Sequence, residues 1–221
     1  MIVTGFDERD DDFSTGTIYN SVAIVDADGT LLNRHRKLMP TNPERMVHGF
    51  GDASGLRVVD TAVGRVGALI CWENYMPLAR FALYAQGVDI YVAPTYDQGD
   101  LWVATMRHIA MEGRCWVVGC GSALRGSDYP TDIPGHNKIC PDPNEWINDG
   151  DSIVVSPLGA IAKGPLRQKV GILCADIEVA ESAAARRTLD VAGHYGRPDV
   201  FQLSVNRARA RPIVFSDPSQ S

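Results

Sequence analysis

The sequence predicts an α/β fold organised on a parallel sheet, and three observations carry that prediction. Between Gly64 and Cys120, short apolar runs alternate with helical patterns in the order strand–helix–strand–helix–strand. That order implies parallel pairing with right-handed crossovers. The runs at 64–71, 88–93 and 115–120 are short and apolar, as buried strands are. Finally, 221 residues with 45% hydrophobic and 22% charged side chains describe an ordinary soluble chain. Such a chain buries about 70–75% of its unfolded surface.

Residues 18–25 alternate toward Asp26-Ala27-Asp28-Gly29, and residues 30–32 resume the pattern; this predicts a β-hairpin. The Pro- and Gly-bearing stretch 34–55 reads as a long loop of the kind that carries function. Strands are expected at 56–60 and 64–71. From Met76 to Gly87 the pattern is helical, with Pro77 suited to the first turn and Gly87 to the stop. Leu78, Phe81, Ala82 and Ala85 recur at i, i+3, i+4 and i+7, which predicts their burial. A strand at 88–93 closes at Pro94. A second helix covers about 101–112, with Val103, Met106 and Ala110 on one side, and the strand at 115–120 follows.

Beyond Gly121 a polar, proline-bearing loop is expected to about Asp151. Residues 153–155 and 160–162 flank the turn Ser156-Pro157-Leu158-Gly159; a strand at 170–177 and a helix at 178–189 complete the pattern. After Val205 the chain, with Arg207, Arg209, Arg211, Pro212 and residues 216–221, reads as a surface extension. No internal repeat or boundary stands out. The expected organisation is one domain over 1–205 and a tail over 206–221.

A net charge of −6 argues against nucleic acid, which calls for a clustered basic face. The acidic run at 7–12 reads as a solvated loop, since it lacks the spacing of a calcium loop. No stretch approaches the ~18 consecutive apolar residues of a membrane span, and no apolar signal core is seen, so a cytosolic protein is expected. Cys71, Cys115, Cys120, Cys140 and Cys174 are odd in number and irregularly spaced, which suits reduced thiols. The five histidines show no pair at ligand spacing, so no metal site is expected.

Cys71 draws attention because an apolar strand ends at it and a helix begins a few residues later. The carboxyl ends of strands are where α/β sheets place their chemistry. A buried core cysteine is the plain alternative. A thiol is mostly protonated at neutral pH, so a nucleophilic cysteine needs a neighbouring base or cation. Lys37, in Arg34-His35-Arg36-Lys37, is placed in chain order to supply charge, or belongs to a basic run leaving a strand into solvent. Glu44 either orients Lys37 or is a surface carboxylate. A cysteine–histidine dyad with His108 is less attractive, because His108 falls mid-helix.

The segments His35-Arg36-Lys37-Leu38-Met39-Pro40-Thr41, Cys71-Trp72-Glu73-Asn74 and Gly193-His194-Tyr195-Gly196-Arg197-Pro198-Asp199-Val200-Phe201 make the pattern specific. Shorter matches lie between them: Tyr19-Asn20, Glu44-Arg45, Leu83-Tyr84-Ala85-Gln86-Gly87 and Glu112-Gly113-Arg114. The chain to about Val205 resembles the nitrilase branch of the nitrilase (carbon–nitrogen hydrolase) superfamily. That resemblance implies an α-β-β-α sandwich, assembly into homo-oligomers (dimers or larger spirals), and no cofactor. It implies Cys71 as nucleophile, Lys37 as the catalytic lysine, Glu44 as a positioning glutamate, and the Trp72 backbone N–H as a donor to developing charge. Glu73, Tyr75, Thr95 and Tyr96, with Met76, are expected near an apolar, partly aromatic substrate pocket. His194 and Arg197 are expected to anchor structure or a subunit contact.

The implied activity is hydrolysis of an organic nitrile to the carboxylic acid and ammonia. The alternatives are an amidase or cyanide-converting hydrolase of the same superfamily, or an inactive assembly subunit. The last arises because the resemblance also implies a general-base glutamate whose motif has no match between Met1 and Tyr19; Glu8 matches a different segment. The chain is accordingly expected to be incomplete at its N-terminus.

Overall fold

The structure is a computed structural model that describes residues 1–10, 12–209 and 213. Two compact units are distinguished: Met1–Leu56 with the described residues from Ser204 onward, and Arg57–Leu203.

In the first unit, β1 (Ile2–Arg9), β2 (Ile18–Val25) and β3 (Leu31–Arg36) form an antiparallel sheet in that order. The expected hairpin joins β2 to β3. Asp26 N–H donates to Thr30 O at 2.8 Å, and Gly29 takes a φ of +90°, which glycine adopts without a Cβ penalty. Residues 34–36 continue β3 instead of opening a loop.

The acidic run is also corrected, because Asp7, Glu8 and Arg9 pair with Asn20, Tyr19 and Ile18. Glu8 and Asp10 are buried. The cause is Arg36, itself buried over the Tyr19 ring at 4.0 Å. Its Nε donates to Glu8 Oε1 at 2.9 Å and its guanidinium reaches Asp10 at 3.3 Å, while Ser21 Oγ donates to Glu8 Oε2 at 2.7 Å. Carboxylates enter an interior when such partners are supplied. Burial pushes the Glu8 carboxyl up, and the Arg36 and Ser21 bonds outweigh it and hold it below the usual range. Arg209 reaches Asp10 at 3.6 Å and also contacts Asp12, so this part of the expected tail is tied to the acidic segment. Asp11, Arg211, Pro212 and residues 216–221 lie outside the described residues.

The second unit contains β4 (Val59–Thr61), β5 (Gly64–Ala68), α1 (Pro77–Tyr84), β6 (Ile90–Thr95), α2 (Asp100–Gly113) and β7 (Trp116–Gly121). It continues with β8 (Ala123–Arg125), α3 (His136–Ile139), β9 (Trp146–Val155), β10 (Ile161–Arg167) and α4 (Ala180–Arg186). The sheet order is β10-β9-β7-β6-β5-β4, with β8 paired to β9. As the alternating pattern requires, β5, β6 and β7 are parallel, with Val66 opposite Ile90 and Ile90 opposite Trp116. The helices α1 and α2 are the crossovers. Val66, Ala68, Tyr91, Ala93 and Val117 are buried in the central strands, and Trp102, Met106, Ile109 and Ala110 are buried on α2. At the sheet edges lie β4, three residues long, and β10, which carries Lys163, Pro165 and Arg167.

Several boundaries move. The strand before Cys71 ends at Ala68, β6 runs through Pro94, and the expected loop 121–151 contains β8, α3 and the start of β9. Residues 170–177 form no strand: half-burial alternates at Leu173, Ala175 and Ile177, but no ladder pairs them. On α1 the buried residues are Ala79, Arg80, Ala82, Leu83 and Tyr84, whereas Leu78 and Ala85 are exposed and Phe81 is half-buried. A polar partner shifts that face, since Arg80 and Tyr84 both turn toward Glu112 on α2. The two helices meet closely there. A Cβ on Gly113 would stand 2.4 Å from the Tyr84 ring.

Candidate active site

The β5 backbone continues past Ala68 far enough for Leu69 N–H to donate to Val92 O at 3.2 Å. The chain then breaks into a 3-10 turn, Cys71–Tyr75, which leads into α1. Cys71 opens this turn with a φ of +52°. A left-handed backbone at a non-glycine residue costs about 1–3 kcal/mol and persists only where its surroundings enforce it. The thiol-bearing residue is 8% exposed.

The enforcing contacts come from the same four-residue box. Glu73 Oε2 accepts the Ile70 N–H at 2.7 Å, as a glutamate at the third position of a helical turn does for the residue that caps it. Asn74 is fully buried. Its Nδ2 donates to Cys71 O at 2.7 Å and Leu69 O at 3.1 Å, and its Oδ1 accepts the Tyr91 hydroxyl at 2.8 Å. Arg80 Nη1 donates to Asn74 O at 2.8 Å, while its Nε donates to Glu112 Oε2 at 2.9 Å. The Tyr84 hydroxyl donates to the same oxygen at 2.8 Å. Burial raises the Glu112 carboxyl, but the Arg80 and Tyr84 bonds prevail and hold it below its usual range.

Trp72 and Tyr75 are about half exposed beside Cys71, with ring centroids 6.1 Å apart and edge-to-face. Tyr75 also packs edge-on to Trp102 at 6.3 Å. Its hydroxyl donates to Asp97 Oδ2 at 2.8 Å, and burial together with that carboxylate pushes the phenol up to about 12. Thr95 is buried and its Oγ1 accepts the Asp97 N–H at 2.7 Å. Tyr96 is half exposed, with its hydroxyl 2.9 Å from that of Tyr129. Tyr75 and the 95–97 segment are thus joined through Asp97. Glu73 is 1% exposed and faces the backbone it caps. His108 is on the surface of α2, 3.6 Å from Glu112.

In the first unit, the basic run does not leave into solvent at Lys37. This side chain is fully buried, and its Nζ donates to Glu44 Oε2 at 2.6 Å and Thr41 Oγ1 at 3.0 Å. Glu44 sits in the 3-10 turn Asn42–Met46, and the same Oε2 accepts the Thr41 N–H at 2.6 Å. Burial works to raise the Glu44 carboxyl. The Lys37 bond, the Thr41 amide and the Lys37 and His48 charges together bring it below its usual range.

Residues 1–187 match the family model described as carbon-nitrogen hydrolase. The chain belongs to the carbon–nitrogen hydrolase family. Among curated relatives, this hydrolase-family chain is 42% identical to a bifunctional nitrilase/nitrile hydratase of Nicotiana tabacum, over 99% of its own length and 62% of the relative's. It is 44% identical to an aliphatic nitrilase of Sinorhizobium fredii, over 96% of its own length and 67% of the relative's. The chain therefore spans about two thirds or somewhat less of these relatives. A crystal structure of a carbon–nitrogen hydrolase from Helicobacter pylori superposes with a TM-score of 0.68 at 21% identity, covering 85% of this chain and 65% of that one. Nit3 of Saccharomyces cerevisiae, a member of branch 10 of the nitrilase superfamily, gives 0.65 at 22%, covering 86% and 64%. These structural likenesses speak for the fold, which is the expected α/β class of the nitrilase superfamily.

Sequence reasoning drew attention to the Cys-Trp-Glu-Asn box and to Glu112-Gly113-Arg114 as matching segments, but assigned no role to Asn74, Arg80, Tyr91 or Glu112. The first three do not titrate near neutral pH and so carry no chemical flag. The available signal was a hydroxyl-bearing residue, Tyr91, flanked by apolar Ile90, Val92 and Ala93 in the strand.

Proposed function

We propose that this carbon–nitrogen hydrolase is a nitrilase that converts an organic nitrile and two waters to the carboxylic acid and ammonia, with Cys71 as nucleophile. The observation that carries the proposal is the placement of Cys71. It stands just past a central parallel strand, in an enforced left-handed turn, within a chain more than 40% identical to proteins named nitrilases.

In this mechanism the Cys71 sulfur forms a bond to the nitrile carbon while nitrogen takes up a proton, giving a thioimidate. The Lys37 ammonium and the Trp72 N–H stabilise charge on that nitrogen, as preorganised donors do in an oxyanion hole. Water adds to the thioimidate carbon, ammonia leaves, and a thioester remains. A second water releases the acid and restores the thiol. Glu44 is assigned to orienting Lys37; the 2.6 Å contact supports that role. Tyr75, Thr95 and Tyr96 are proposed to line the pocket, supported by the half exposure of the two tyrosines. No cofactor is needed for these steps.

The name of the tobacco relative favours a second outcome at the same intermediate. If the tetrahedral adduct expels the thiol instead of ammonia, the product is the amide. The deciding experiment is turnover of aliphatic and aryl nitriles, with acid, amide and ammonia quantified, by the protein and by Cys71→Ala. Acid with stoichiometric ammonia, lost in Cys71→Ala, supports the nitrilase. Turnover of amides or cyanide without nitriles would move the assignment to those hydrolases, and no turnover at all to an assembly subunit.

A cytoplasmic setting is proposed as well, supported by five cysteines that are all unpaired. Among the described residues no helix is long and apolar enough to cross a membrane. Homo-oligomer formation is proposed from the resemblance. It is supported by exposed apolar side chains at Leu78, Val200 and Phe201, and sedimentation velocity tests it.

A further inference from the structure

We propose that the Asn74 carboxamide is a positioning residue that aims the Trp72 N–H, and that the Tyr91 hydroxyl sets the orientation in which it does so. The proposal rests on Cys71 being the nucleophile.

The peptide groups around Cys71 explain why. The Leu69–Ile70 peptide is held at both ends, its carbonyl by Asn74 Nδ2 at 3.1 Å and its N–H by Glu73 Oε2 at 2.7 Å. The Cys71–Trp72 peptide is gripped through its carbonyl by the same Asn74 nitrogen at 2.7 Å. Because a peptide unit is planar, fixing that carbonyl fixes the direction of the Trp72 N–H on its opposite side. Hydrogen bonding to a carbonyl also polarises its peptide and strengthens the N–H as a donor.

One side chain therefore bridges the Leu69–Ile70 and Cys71–Trp72 peptides across the turn and supports the φ of +52° at Cys71. The arrangement works in only one amide orientation. Both Nδ2 hydrogens are used on backbone carbonyls, which leaves Oδ1 as an acceptor for the Tyr91 hydroxyl at 2.8 Å. A flipped amide would set its oxygen against two carbonyl oxygens and its NH₂ toward the tyrosine. With Asn74 and Tyr91 both fully buried, solvent cannot compensate. Arg80, donating to Asn74 O at 2.8 Å, steadies the other end of the residue.

The test compares Asn74→Ser and the milder Tyr91→Phe with the parent protein in four measurements. These are kcat, KM, inhibition by butanal and benzaldehyde, and the rate at which iodoacetamide alkylates Cys71, mapped by peptide mass. Aldehydes add to a thiol to give a hemithioacetal whose oxygen requires the N–H donor, whereas alkylation requires only the sulfur. The expected result is a fall in kcat of about a hundredfold for Asn74→Ser and about tenfold for Tyr91→Phe. The aldehyde inhibition constants should rise by matching factors, while KM and the alkylation rate stay within about threefold.

The proposal is overturned if kcat and aldehyde inhibition, per folded molecule, stay within twofold of the parent in both variants. It is also overturned if all four readouts decline together with the folded fraction, which is the signature of a merely structural role. Turnover that survives Cys71→Ala removes the nucleophile itself and this proposal with it, an outcome the Asn74 and Tyr91 variants cannot mimic.

Discussion

Glu112 on α2 meets Arg80 on α1 at 2.9 Å, and the arginine passes the contact on to the turn that carries Cys71 through the Asn74 carbonyl. A helix–helix ion pair is thereby a buttress of the cysteine turn.

Removing one member of this pair leaves the other buried without its charge partner. Glu112→Gln is expected to cost about 2–3 kcal/mol, somewhat less than a fully buried pair because Glu112 is 27% exposed. Thermal unfolding should show a fall in Tm of roughly 5–10 °C. The sign with pH follows from the lowered carboxyl of folded Glu112. Its stabilisation is fully present above the unfolded value of about 4.3 and is lost as pH falls through the lower folded value. The Tm gap between parent and variant should close below about pH 4. A gap that persists there would assign the cost to packing.

Cys115 contributes to the loss of stability at alkaline pH. Complete burial pushes its thiol up to about 12, with Arg186 opposing and Asp89 and Glu112 adding. In the unfolded chain this thiol ionises near 8.5, so its contribution is intact below that pH and is lost as pH rises toward 12. Cys115→Ala should lower Tm at pH 7 through the cavity it leaves, and should show a shallower loss of Tm between pH 8.5 and 10.5. Parallel curves would refute the assignment.

Lys37→Met is expected to lower kcat/KM by about 10²–10³, the scale of losing a charge-stabilising donor. Glu44→Gln, which keeps an acceptor for Lys37 and Thr41 but removes the charge, should cost about 10–100-fold. Equal losses in both variants would indicate that Glu44 acts directly on the reacting atoms.

Gly113→Ala places a Cβ 2.4 Å from the Tyr84 ring. Overpacking at such a contact costs about 1–3 kcal/mol, outweighing the gain in helix propensity. Urea unfolding should show a lower midpoint at unchanged m. A raised midpoint would mean that α1 and α2 separate freely.

The parallel β5-β6-β7 arrangement was legible because apolar runs and helical periods alternate without ambiguity. The errors cluster where charge is buried. On α1 the period-based face was misassigned because Arg80 counted as a solvent residue, and its burial is made tolerable by the Asn74 carbonyl and by Glu112, 32 positions away. β1 was hidden by Asp7, Glu8 and Arg9, since nothing local announces that Arg36 will neutralise Glu8. Residues 170–177 err in the opposite sense: the alternation is present, but pairing depends on a neighbouring edge that composition cannot report. Within the site, Cys71, Lys37 and Glu44 were singled out from the sequence for their nucleophilic or charged groups. Asn74 was not, because its importance lies in the two carbonyls it bridges.

The two margins of the larger sheet bear on how copies of this protein can meet. β4 offers three residues of ladder, and β10 presents Pro165, which has no N–H to donate, between Lys163 and Arg167. Neither margin is a usable template for another strand. Growth of an assembly by continuing this sheet from one molecule into the next is thus closed off, and contacts between copies are left to side-chain surfaces. A filament whose copies met at these two margins would accordingly lack the 4.7–4.8 Å cross-strand repeat along its axis.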